Sequence, residues 1–448
     1  MKLTKIEVKG LFGMFDHEIP LNDSGITIVI GENGLGKTVV LEATNAFFEK
    51  NYRFFRDIQF SKFLFFFEGN EYWEITKSES NRQFSLFANR RLIDKDTKSK
   101  PVKIAEIDSN DKSSKAHRDR ELALSYELAK RRALLREGGR RYSDDLVMWE
   151  DYTSHHFFTD SEMQGLLFSS ADKTLPKWFT EISNEIKVKL IETQRTMTAK
   201  ERGGDAYINT VLKCSKELTE QISKIEKSSS EITTELDSTY PNRLLQKLKQ
   251  KTVDSFDELN AALAKLDERR KDLSSIGLIE STHDSDLLKI TEEQPDLMNA
   301  LKLYIDDSHK KLAPFDDISQ KISLFRQIVN KRFKHKKLEI NKNDGFVFRS
   351  TVKKDKDGNF EKISPLKLSS GEQNELILFY ELIFKSNPND MILIDEPELS
   401  LHISWQNKFI NDLKEVTSMN KVSIIIATHS PDIIDENWDL KVELQGIE

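Results

Sequence analysis

The chain has 448 residues, enough for two or three domains, and its 68 Lys and Arg against 75 Asp and Glu give a formal net charge of -7. This charge excludes a wholly basic coat for nucleic acid but allows local basic patches. The single cysteine, Cys214, excludes an internal disulfide framework and is typical of a reducing compartment. Because the sequence contains no apolar run of about 18 residues and no signal peptide, we expect a soluble cytoplasmic protein without a membrane partner.

The N-terminal part of the chain predicts β-strands interrupted by one helix. Residues 5–10 and 26–30 are short β-branched runs of strand type, and residues 39–50 have apolar side chains spaced for one buried helix face. Residues 60–77 are rich in phenylalanine, with a Glu-Gly-Asn-Glu turn between two strand-like halves. This pattern predicts a buried hairpin. The alternative, a stacking platform for nucleic acid, needs interleaved Arg and Lys, which are scarce there.

A segment rich in lysine and arginine follows. Residues 95–120 are polar and predict an exposed loop, and residues 121–137 predict a helix that ends at a Gly-Gly pair. Between positions 112 and 141 there are ten Lys or Arg and four Asp or Glu, a surplus of six positive charges. This surplus indicates either a solvated helix face or a contact surface for a nucleic acid or an acidic protein.

Residues 196–325 are charged, poor in aromatic side chains and helical in pattern. Apolar residues recur there every three or four positions, as at Leu218, Ile222, Ile225, Leu259, Leu263 and Leu266. This spacing predicts amphipathic helices packed as a coiled-coil-like hairpin. We expect breaks at 240–242, where Pro241 lies, and at 281–285.

Strand and helix patterns alternate again after this region. We expect strands at 337–340 and 346–350, a helix from 371, a strand at 391–394, a helix at 402–416 and a strand at 422–427. The sequence therefore predicts one α/β unit, a mixed sheet with flanking helices, divided by a helical insertion. Its halves are residues 1–195 and 326–448, and the insertion is 196–325.

The clearest motif follows the predicted strand at 26–30. Its residues, which fit the phosphate-loop pattern G-x-x-x-x-G-K-[ST], are Gly31, Glu32, Asn33, Gly34, Leu35, Gly36, Lys37 and Thr38. Glycines let the N–H groups of the loop point at phosphate oxygens, Lys37 reaches the outer phosphates, and the Thr38 hydroxyl ligates Mg²⁺. The strand, loop and helix in this order disfavour a chance glycine-rich turn. We expect ATP and Mg²⁺ to bind at 31–39, which includes Val39 at the start of the helix.

A second motif is the apolar run 391–394 with Asp395 and Glu396 after it. Asp395 lies where an acid holds the metal shell, and Glu396 where a base orients water toward the γ-phosphate. Paired acids also occur by chance at strand ends, but together with a phosphate loop they indicate catalysis. His429 ends a later apolar strand, where a lone histidine is usually structural but can contact the γ-phosphate. We expect Lys37, Glu396 and His429 to be catalytic.

A third motif, the run LSSGEQ at 368–373, precedes a predicted helix. Serine side chains and N–H groups at a helix N-terminus form a second phosphate-binding corner. The alternative is an ordinary capping box between Ser370 and Gln373.

The order of these motifs resembles that of the ABC-type head of the SMC, RecF and double-strand-break-repair ATPases, over residues 1–50 and 365–432. The resemblance implies a signature that closes on ATP held by another subunit, so that the active unit is a homodimer or a larger homo-oligomer. The residues that match this signature are Ser369, Ser370, Gly371 and Glu372. Ser370 stands where that family usually has glycine. This difference puts in question how the signature closes on the ATP of the other subunit.

The same resemblance implies roles for further residues. Leu399 and Ser400 match the D-loop, and Gln194 matches the Q-loop glutamine that touches the metal or the attacking water. Gln194 is equally interpretable as a surface residue. Phe12 and Phe15 lie in the hairpin that approaches the adenosine in that family, although core packing also explains them.

Within this family, the opening strand pair and the segments VKLIETQR and YPNRLL resemble ATPases of bacterial anti-phage systems. The AriA family of the PARIS system comes first and the ATPases of Septu second. That resemblance implies an ATP-dependent scaffold that holds a separate TOPRIM-type nuclease, AriB, until a phage trigger protein, usually an acidic DNA mimic, releases it. The basic segments 112–141 and 331–337 suit such a partner. We expect no nuclease domain in this chain.

The competing hypothesis is a RecF-like repair ATPase that binds DNA directly. It uses the same basic segments for phosphate contacts, and its DNA binding weakens steeply with salt. The ATPase half of an ABC transporter is a weaker alternative, because the transporter class lacks a helical insertion at this position.

Overall fold

A computed structural model of the chain describes ten stretches. They are residues 2–80, 83–93, 100–108, 148–151, 156–159, 175–191, 197–198, 208–249, 255–280 and 295–446. The predicted helix at 121–137, the basic segment 112–141, the break at 281–285 and Gln194 lie outside the described residues.

The strands and helices predicted within the described residues occur in the predicted order, but the exposed loop predicted at 95–120 is wrong at 102–108, which form a strand paired in a sheet. The strands are β1 Leu3–Leu11, β2 Phe15–Pro20, β3 Ile26–Ile30, β4 Lys62–Phe67, β5 Glu71–Ser80, β6 Gln83–Leu92, β7 Val102–Asp108, β8 Met148–Asp151, β9 His156–Thr159, β10 Val188–Ile191, β11 Met197–Thr198, β12 Ile208–Asn209, β13 Lys336–Asn341, β14 Gly345–Lys354, β15 Phe360–Ile363, β16 Met391–Asp395, β17 Ser423–Ala427 and β18 Lys441–Glu443. The helices are α1 Lys37–Phe48, α2 Phe54–Asp57, α3 Lys177–Glu185, α4 Thr210–Leu248, α5 Phe256–Ser275, α6 Pro295–Leu312, α7 Asp316–Arg332, α8 Ser370–Phe384, α9 Ile403–Gln406, α10 Phe409–Asn420 and α11 Pro431–Ile434. The helix predicted at 402–416 is two helices, α9 and α10.

A parallel sheet with the strand order β10-β16-β17-β3-β18 forms the centre of the α/β unit. Ile26 of β3 pairs with Ile424 of β17, so the two ends of the chain meet in one sheet. The strands β3, β16 and β17 are apolar on both faces, as expected for buried parallel strands. Because the strands are parallel, their carboxyl ends lie at one edge, and the polar residues that follow them are brought together there.

A six-stranded antiparallel sheet, β2-β1-β4-β5-β6-β7, packs beside the parallel sheet. The predicted hairpin at 60–77 is confirmed as β4 and β5, with Phe65 opposite Trp73. Both of these rings are fully buried against Phe47 of α1. These aromatic side chains therefore form the core beneath α1, and rings buried in this way have no free face for a nucleic-acid base.

The helices α4, α5 and α6 lie within the described part of the region predicted as the helical insertion. The helix α4 is continuous over 39 residues, or about 58 Å at about 1.5 Å per residue. The helix α6 runs antiparallel to it, since Ser229 bonds to the Lys311 carbonyl while the more distal Arg243 bonds to Asp307. The predicted coiled-coil-like hairpin is confirmed, and α5 adds a third helix that packs along α6.

The predicted break at 240–242 is wrong, because Pro241 lies inside α4. A proline within a helix removes one N–H and crowds the carbonyl of the preceding turn. Arg243 binds the chain on both sides of this position. Its Nη2 donates to the Leu236 carbonyl at 2.7 Å, and the guanidinium binds both carboxylate oxygens of Asp307 at 2.5 and 2.7 Å. A tertiary contact with α6 thus supports the helix at its proline.

A buried ionic cluster connects α7 with α8 and α10. Arg332 is 4% exposed and donates to the carboxylates of Glu375 and Asp412, and its guanidinium lies 4.7 Å from the ring centre of Phe379. The interpretation of 331–337 as a basic contact surface is therefore wrong for this arginine. Its charge is neutralised inside the protein, because two acids on other helices surround it.

Replacing this arginine should destabilise the fold. We expect Arg332→Ala to lower the free energy of unfolding by about 3–5 kcal/mol, because two buried carboxylates lose their partner. Urea unfolding followed by circular dichroism measures the change. Lys334→Ala, at an exposed position two residues away, is the matched control and should change the free energy by less than about 0.5 kcal/mol. Equal stabilities of the two variants would contradict the structural role of the cluster.

The reactivity of the single cysteine should show whether the first turns of α4 separate from the rest of the protein. Cys214 lies in the first turns of α4 with no exposed surface, and burial raises the pKa of its thiol to about 12. We therefore expect no reaction with an aromatic disulfide reagent at pH 8 in the native protein, and one thiol per chain to react in denaturant. A rapid reaction of the native protein would mean that α4 separates from α8 in solution.

Candidate active site

The loop between β3 and α1 has the backbone form of a phosphate-binding loop. Gly34 and Gly36 have φ angles of 87° and 86°, in the left-handed region that only glycine adopts without strain. A Cβ on Gly36 would lie 2.5 Å from the Leu11 side chain, so a larger residue does not fit. The helix α1 begins at Lys37, and the N–H groups of its first turn have no acceptor within the helix. The predicted motif therefore presents these N–H groups to an anion.

The Lys37 side chain is buried at the centre of this site. Its Nζ donates to the carbonyls of Gly31 at 2.8 Å and Glu32 at 2.9 Å, and lies 3.4 Å from Nδ1 of His429. Burial lowers the pKa of Lys37, whereas the nearby carboxylates, with Glu396 the strongest, act to raise it. An ammonium held by two neutral carbonyls can move to phosphate oxygens, because charged acceptors form stronger hydrogen bonds.

Thr38 and Asp395 meet at the carboxyl edge of the parallel sheet. The Thr38 hydroxyl donates to the Asp395 carboxylate, whose oxygens lie 3.1 and 3.0 Å from Oγ1. Burial raises the pKa of Asp395, and the hydrogen bond from Thr38 acts in the opposite direction. A hydroxyl and a carboxylate are oxygen donors of the kind that Mg²⁺ prefers. These two residues therefore fit the predicted metal, and the chemistry of the donor set is the basis of that fit.

Glu396 and His429 face each other at the same edge. The Oε1 atom of Glu396 lies 3.8 Å from Nε2 of His429, and each side chain is 32% exposed. Glu396 has a φ angle of 42°, a left-handed conformation that is strained for any residue except glycine. Its N–H donates to the Ala427 carbonyl of the neighbouring strand at 2.8 Å, which holds the strained turn in place. The predicted base and His429, the histidine predicted to contact the γ-phosphate and called the switch histidine below, are thus brought together.

The predicted signature lies at the N-terminus of α8. Ser369 caps this helix: its Oγ accepts from the Glu372 N–H at 3.3 Å, and its N–H donates to the Glu372 carboxylate at 2.8 Å. The alternative capping box between Ser370 and Gln373 is wrong, because the helix begins one residue earlier than that box requires. Burial acts to raise the pKa of Glu372, but hydrogen bonds from Lys336 and Ser369 hold it below its usual value. Both serines remain exposed.

The predicted D-loop lies beside the signature of the same chain. A Cβ on Gly371 would lie 4.0 Å from the Ser400 carbonyl. The Ser400 side chain is buried and donates to the Pro397 carbonyl at 3.2 Å, whereas Leu399 is 69% exposed. The signature and the D-loop therefore present exposed groups at neighbouring positions of one surface.

The first hairpin contacts the phosphate loop mainly through packing. His17 of β2 is 3% exposed, its Nε2 lies 2.7 Å from the Leu35 carbonyl, and its ring stacks on Phe15. Burial lowers the pKa of His17, so the neutral imidazole donates to Leu35. The ring of Phe12 lies against Gly36. These contacts support the packing interpretation of the two phenylalanines, and the sequence analysis did not single out His17.

Glu398 is a second residue of the site that the sequence analysis did not assign. It follows Glu396 in the run Asp-Glu-Pro-Glu, and its carboxylate accepts from the Thr428 hydroxyl and the His429 N–H, both at 2.8 Å. The only signal in the sequence was a third acid close to the catalytic pair. The loop that Glu398 binds begins at Thr428, 30 residues further along the same chain. Sequence spacing alone therefore did not predict this contact.

A phosphate loop on a parallel sheet, with an acidic strand end and a histidine beside it, defines an ATPase head of the ABC type. The chain belongs to the AAA ATPase domain family, AAA_15, whose model matches residues 1–434. The chain therefore contains an ATPase domain.

Short matches to curated proteins agree with an ABC-type nucleotide-binding unit. The chain is 32% identical over 75 residues to the thiamine import ATP-binding protein ThiQ of Ruegeria sp. strain TM1040, and 33% identical over 75 residues to a putative ABC transporter ATP-binding protein of Clostridium acetobutylicum. It is 34% identical over 88 residues to the "Retron Ec83 probable ATPase" of Escherichia coli. Each match covers 17% of this chain, and 31%, 26% and 16% of those relatives, respectively.

Two solved structures align with nearly the whole chain, but with low sequence identity and low TM-scores. The SMC head domain from Thermotoga maritima aligns with 100% of this chain and 96% of its own length, at 10% identity and a TM-score of 0.36. An SMC head bound to the C-terminal winged-helix domain of ScpA aligns with 97% of this chain and 91% of its own, at 12% identity and a TM-score of 0.32. Such scores are too low to transfer partners or functions. In the part of the chain that the structure describes, no helix has the length and apolar character of a membrane span.

Loss of the loop lysine should remove nucleotide binding. We expect Lys37→Ala to weaken ATP binding by at least about 100-fold, because the loop loses its only charged phosphate ligand. Isothermal titration with a slowly hydrolysed ATP analogue measures this change. Lys216→Ala, on the exposed surface of α4, should bind as the unmodified protein does. Unchanged affinity of the Lys37 variant would remove the loop from nucleotide binding.

Proposed function

We propose that two copies of this chain close on ATP and hydrolyse it between the acidic strand end of one copy and the signature of the other. The observation that carries the proposal is the meeting of five residues at one sheet edge, although Thr38 and Asp395 are 357 positions apart. These residues are Lys37, Thr38, Asp395, Glu396 and His429. Phosphate binding, metal binding and activation of water each have a residue of suitable chemistry there.

Each of these residues has a distinct role in the proposed reaction. Lys37 binds the outer phosphates. Because its ammonium has only donors, Nδ1 of His429 accepts from it, and Nε2 of His429 carries the proton that faces the γ-phosphate. Glu396 orients the attacking water and takes up its proton. When bound by Thr38 and Asp395, Mg²⁺ supplies the charge that offsets the phosphate oxygens.

The signature acts on ATP held by a second copy in this proposal. Ser369 and Ser370 are exposed at the start of α8, next to the exposed Leu399. The Ser369 side chain also caps its own helix, so the Ser370 hydroxyl and the first N–H groups of α8 are the freer donors for a γ-phosphate. The serine that replaces glycine at position 370 thus supplies a phosphate ligand.

The proposed division of the chain is an ATPase head in two parts, 1–195 and 326–448, with the helical insertion 196–325 between them. The lengths of α4, α5 and α6 support an insertion that extends from the head. Gln194 remains the candidate for the Q-loop ligand of the metal.

We further propose that this ATPase serves an anti-phage defence system of the AriA type. As such a scaffold, it holds a separate TOPRIM nuclease and releases it when an acidic phage protein binds. The sequence resemblance described above supports this assignment, and the match to a probable retron ATPase is in accord with a role in defence. The surplus of six positive charges at 112–141 suits an acidic trigger.

The RecF-like alternative rests on the same basic segment. Both hypotheses lose support at 331–337, where Arg332 is buried and Lys336 pairs with Glu372 at 2.7 Å. Replacing Arg131, Arg132 and Arg136 by serine therefore separates the two hypotheses. Trigger sensing is lost in a defence scaffold, whereas duplex affinity and its salt dependence fall in a repair ATPase.

Replacing the proposed base should trap the closed dimer. We expect Glu396→Gln to bind ATP normally, to lower kcat by about 100- to 10,000-fold, and to remain dimeric with ATP. Phosphate release and sedimentation velocity measure the two effects. Glu361→Gln, at an exposed position of β15, is the control. Full turnover by the Glu396 variant would remove this residue from the role of base.

The cellular role is tested by co-expression with the neighbouring genes of the native genome, followed by tag purification with and without ATP. A nuclease-sized protein bound to a stable multimer is expected for a defence scaffold. A chain that purifies alone, dimerises with ATP and retains duplex DNA favours the repair ATPase and contradicts the defence assignment.

A further inference from the structure

The carboxylate of Glu398 joins the two halves of the active-site edge. It lies in the turn directly after β16, Pro397–Leu399, two residues beyond the proposed base. Its Oε2 accepts from the Thr428 hydroxyl at 2.8 Å, and its Oε1 accepts from the His429 N–H at 2.8 Å. Both carboxylate oxygens are therefore used by consecutive residues of the loop that follows β17.

These two bonds fix the backbone that carries the switch histidine. The Thr428 N–H donates to the Val29 carbonyl at 3.1 Å, so β3 holds one side of the loop while Glu398 holds the other. With its backbone held in this way, His429 places Nδ1 3.4 Å from Nζ of Lys37 and Nε2 3.8 Å from the Glu396 carboxylate. The imidazole is directed at the catalytic groups by a carboxylate that is hydrogen-bonded to the backbone and side chain of this loop.

A further set of hydrogen bonds closes a ring around this contact. The Ser430 N–H donates to the Thr428 hydroxyl oxygen at 3.0 Å, and the Ser430 hydroxyl donates to the Gln406 side chain at 2.8 Å. The Gln406 amide in turn lies 3.4 Å from the carbonyls of Glu398 and Leu401. The turn that carries the exposed D-loop residues and the loop that carries the histidine are therefore joined by hydrogen bonds.

We propose that Glu398 is a positioning residue for His429 in ATP hydrolysis. It makes the turn after β16 the element through which contacts at the exposed D-loop surface reach the switch histidine. This inference rests on the role of His429 in the proposed function.

The chemistry of the contact explains why a glutamate occupies this position. A carboxylate offers two acceptors to two donors, and its charge strengthens both bonds. A glutamine can still accept from the His429 N–H and can donate to Thr428 Oγ1, so it retains the geometry without the charge. An alanine removes both contacts and leaves the His429 N–H without this partner.

A double-mutant cycle tests whether Glu398 acts through His429. The variants are Glu398→Ala, Glu398→Gln, His429→Ala and the double variant Glu398→Ala with His429→Ala. We expect Glu398→Ala to lower kcat by about 10- to 100-fold with KM for ATP unchanged within about twofold. Glu398→Gln should recover kcat to within about threefold of the unmodified protein. In the His429→Ala background, loss of Glu398 should lower kcat by less than about twofold.

Matched controls distinguish positioning from a general loss of structure. Glu436→Ala, at an exposed glutamate after β17, should leave kcat unchanged. Thr428→Val should lower kcat in the same range as Glu398→Ala, and Thr428→Ser should restore it, because the hydroxyl is the group that Glu398 binds. If Glu398→Ala does not fold, Thr428→Val tests the same contact, and Thr428→Ser and Glu398→Gln are the variants that should keep kcat near that of the unmodified protein.

The outcomes separate this proposal from the proposed function. If His429→Ala lowers kcat and Glu398→Ala lowers it by an independent, multiplicative factor, the positioning role is overturned while the proposed function stands. A Glu398→Ala variant with raised KM and normal kcat also overturns it, because a nucleotide-binding role moves KM. If His429→Ala retains normal kcat, the histidine has no part in hydrolysis, and both the positioning role and that part of the proposed function fail.

Discussion

The pairing of β3 inside the parallel sheet sets the positions of the other strands and of the site. This strand lies between β17 and β18, both from the last 26 residues of the chain, so the head forms only when the two ends of the sequence pair. Parallel pairing aligns the carboxyl ends of β3, β16 and β17. The phosphate loop, the acidic pair and the switch histidine are therefore brought to one edge, because each immediately follows one of these strands.

A polar cluster connects this sheet to the helical insertion. The helix α7 leads from the insertion back to the head, and its last residue, Arg332, binds acids on α8 and α10. Four residues further on, Lys336 binds Glu372 in the first turn of α8, one helical turn before Glu375. The return of the insertion is thus tied by two ion pairs to the helix that begins at the signature.

The site concentrates charge of both signs in a small volume. Three carboxylates on Asp395, Glu396 and Glu398 act together on Lys37 and oppose the effect of its burial. The strained backbone of Glu396 separates the functions of these acids, since it turns the chain between Asp395, which faces Thr38, and Glu398, which faces the histidine loop. In the proposed reaction, one short segment serves the metal, the water and the position of His429.

The phosphate loop, the acidic strand end and most of the strands and helices were predictable from the sequence, because glycine spacing, apolar runs and helical periodicity are local properties of the chain. The buried phenylalanine hairpin was also predictable, since its residues are adjacent in sequence. Four other features became visible only in the folded chain: α4 continues past Pro241, Ser369 and not Ser370 caps α8, Arg332 is buried, and Glu398 contacts the loop of His429. Most of these features depend on partners that lie tens of residues away, such as Asp307 for Arg243 or Thr428 for Glu398. The cap depends on the residue at which α8 begins, and that residue is set by packing. Local propensity carries no information about which distant residue forms a hydrogen bond with a given side chain, because that partner is set by the packing of the folded chain.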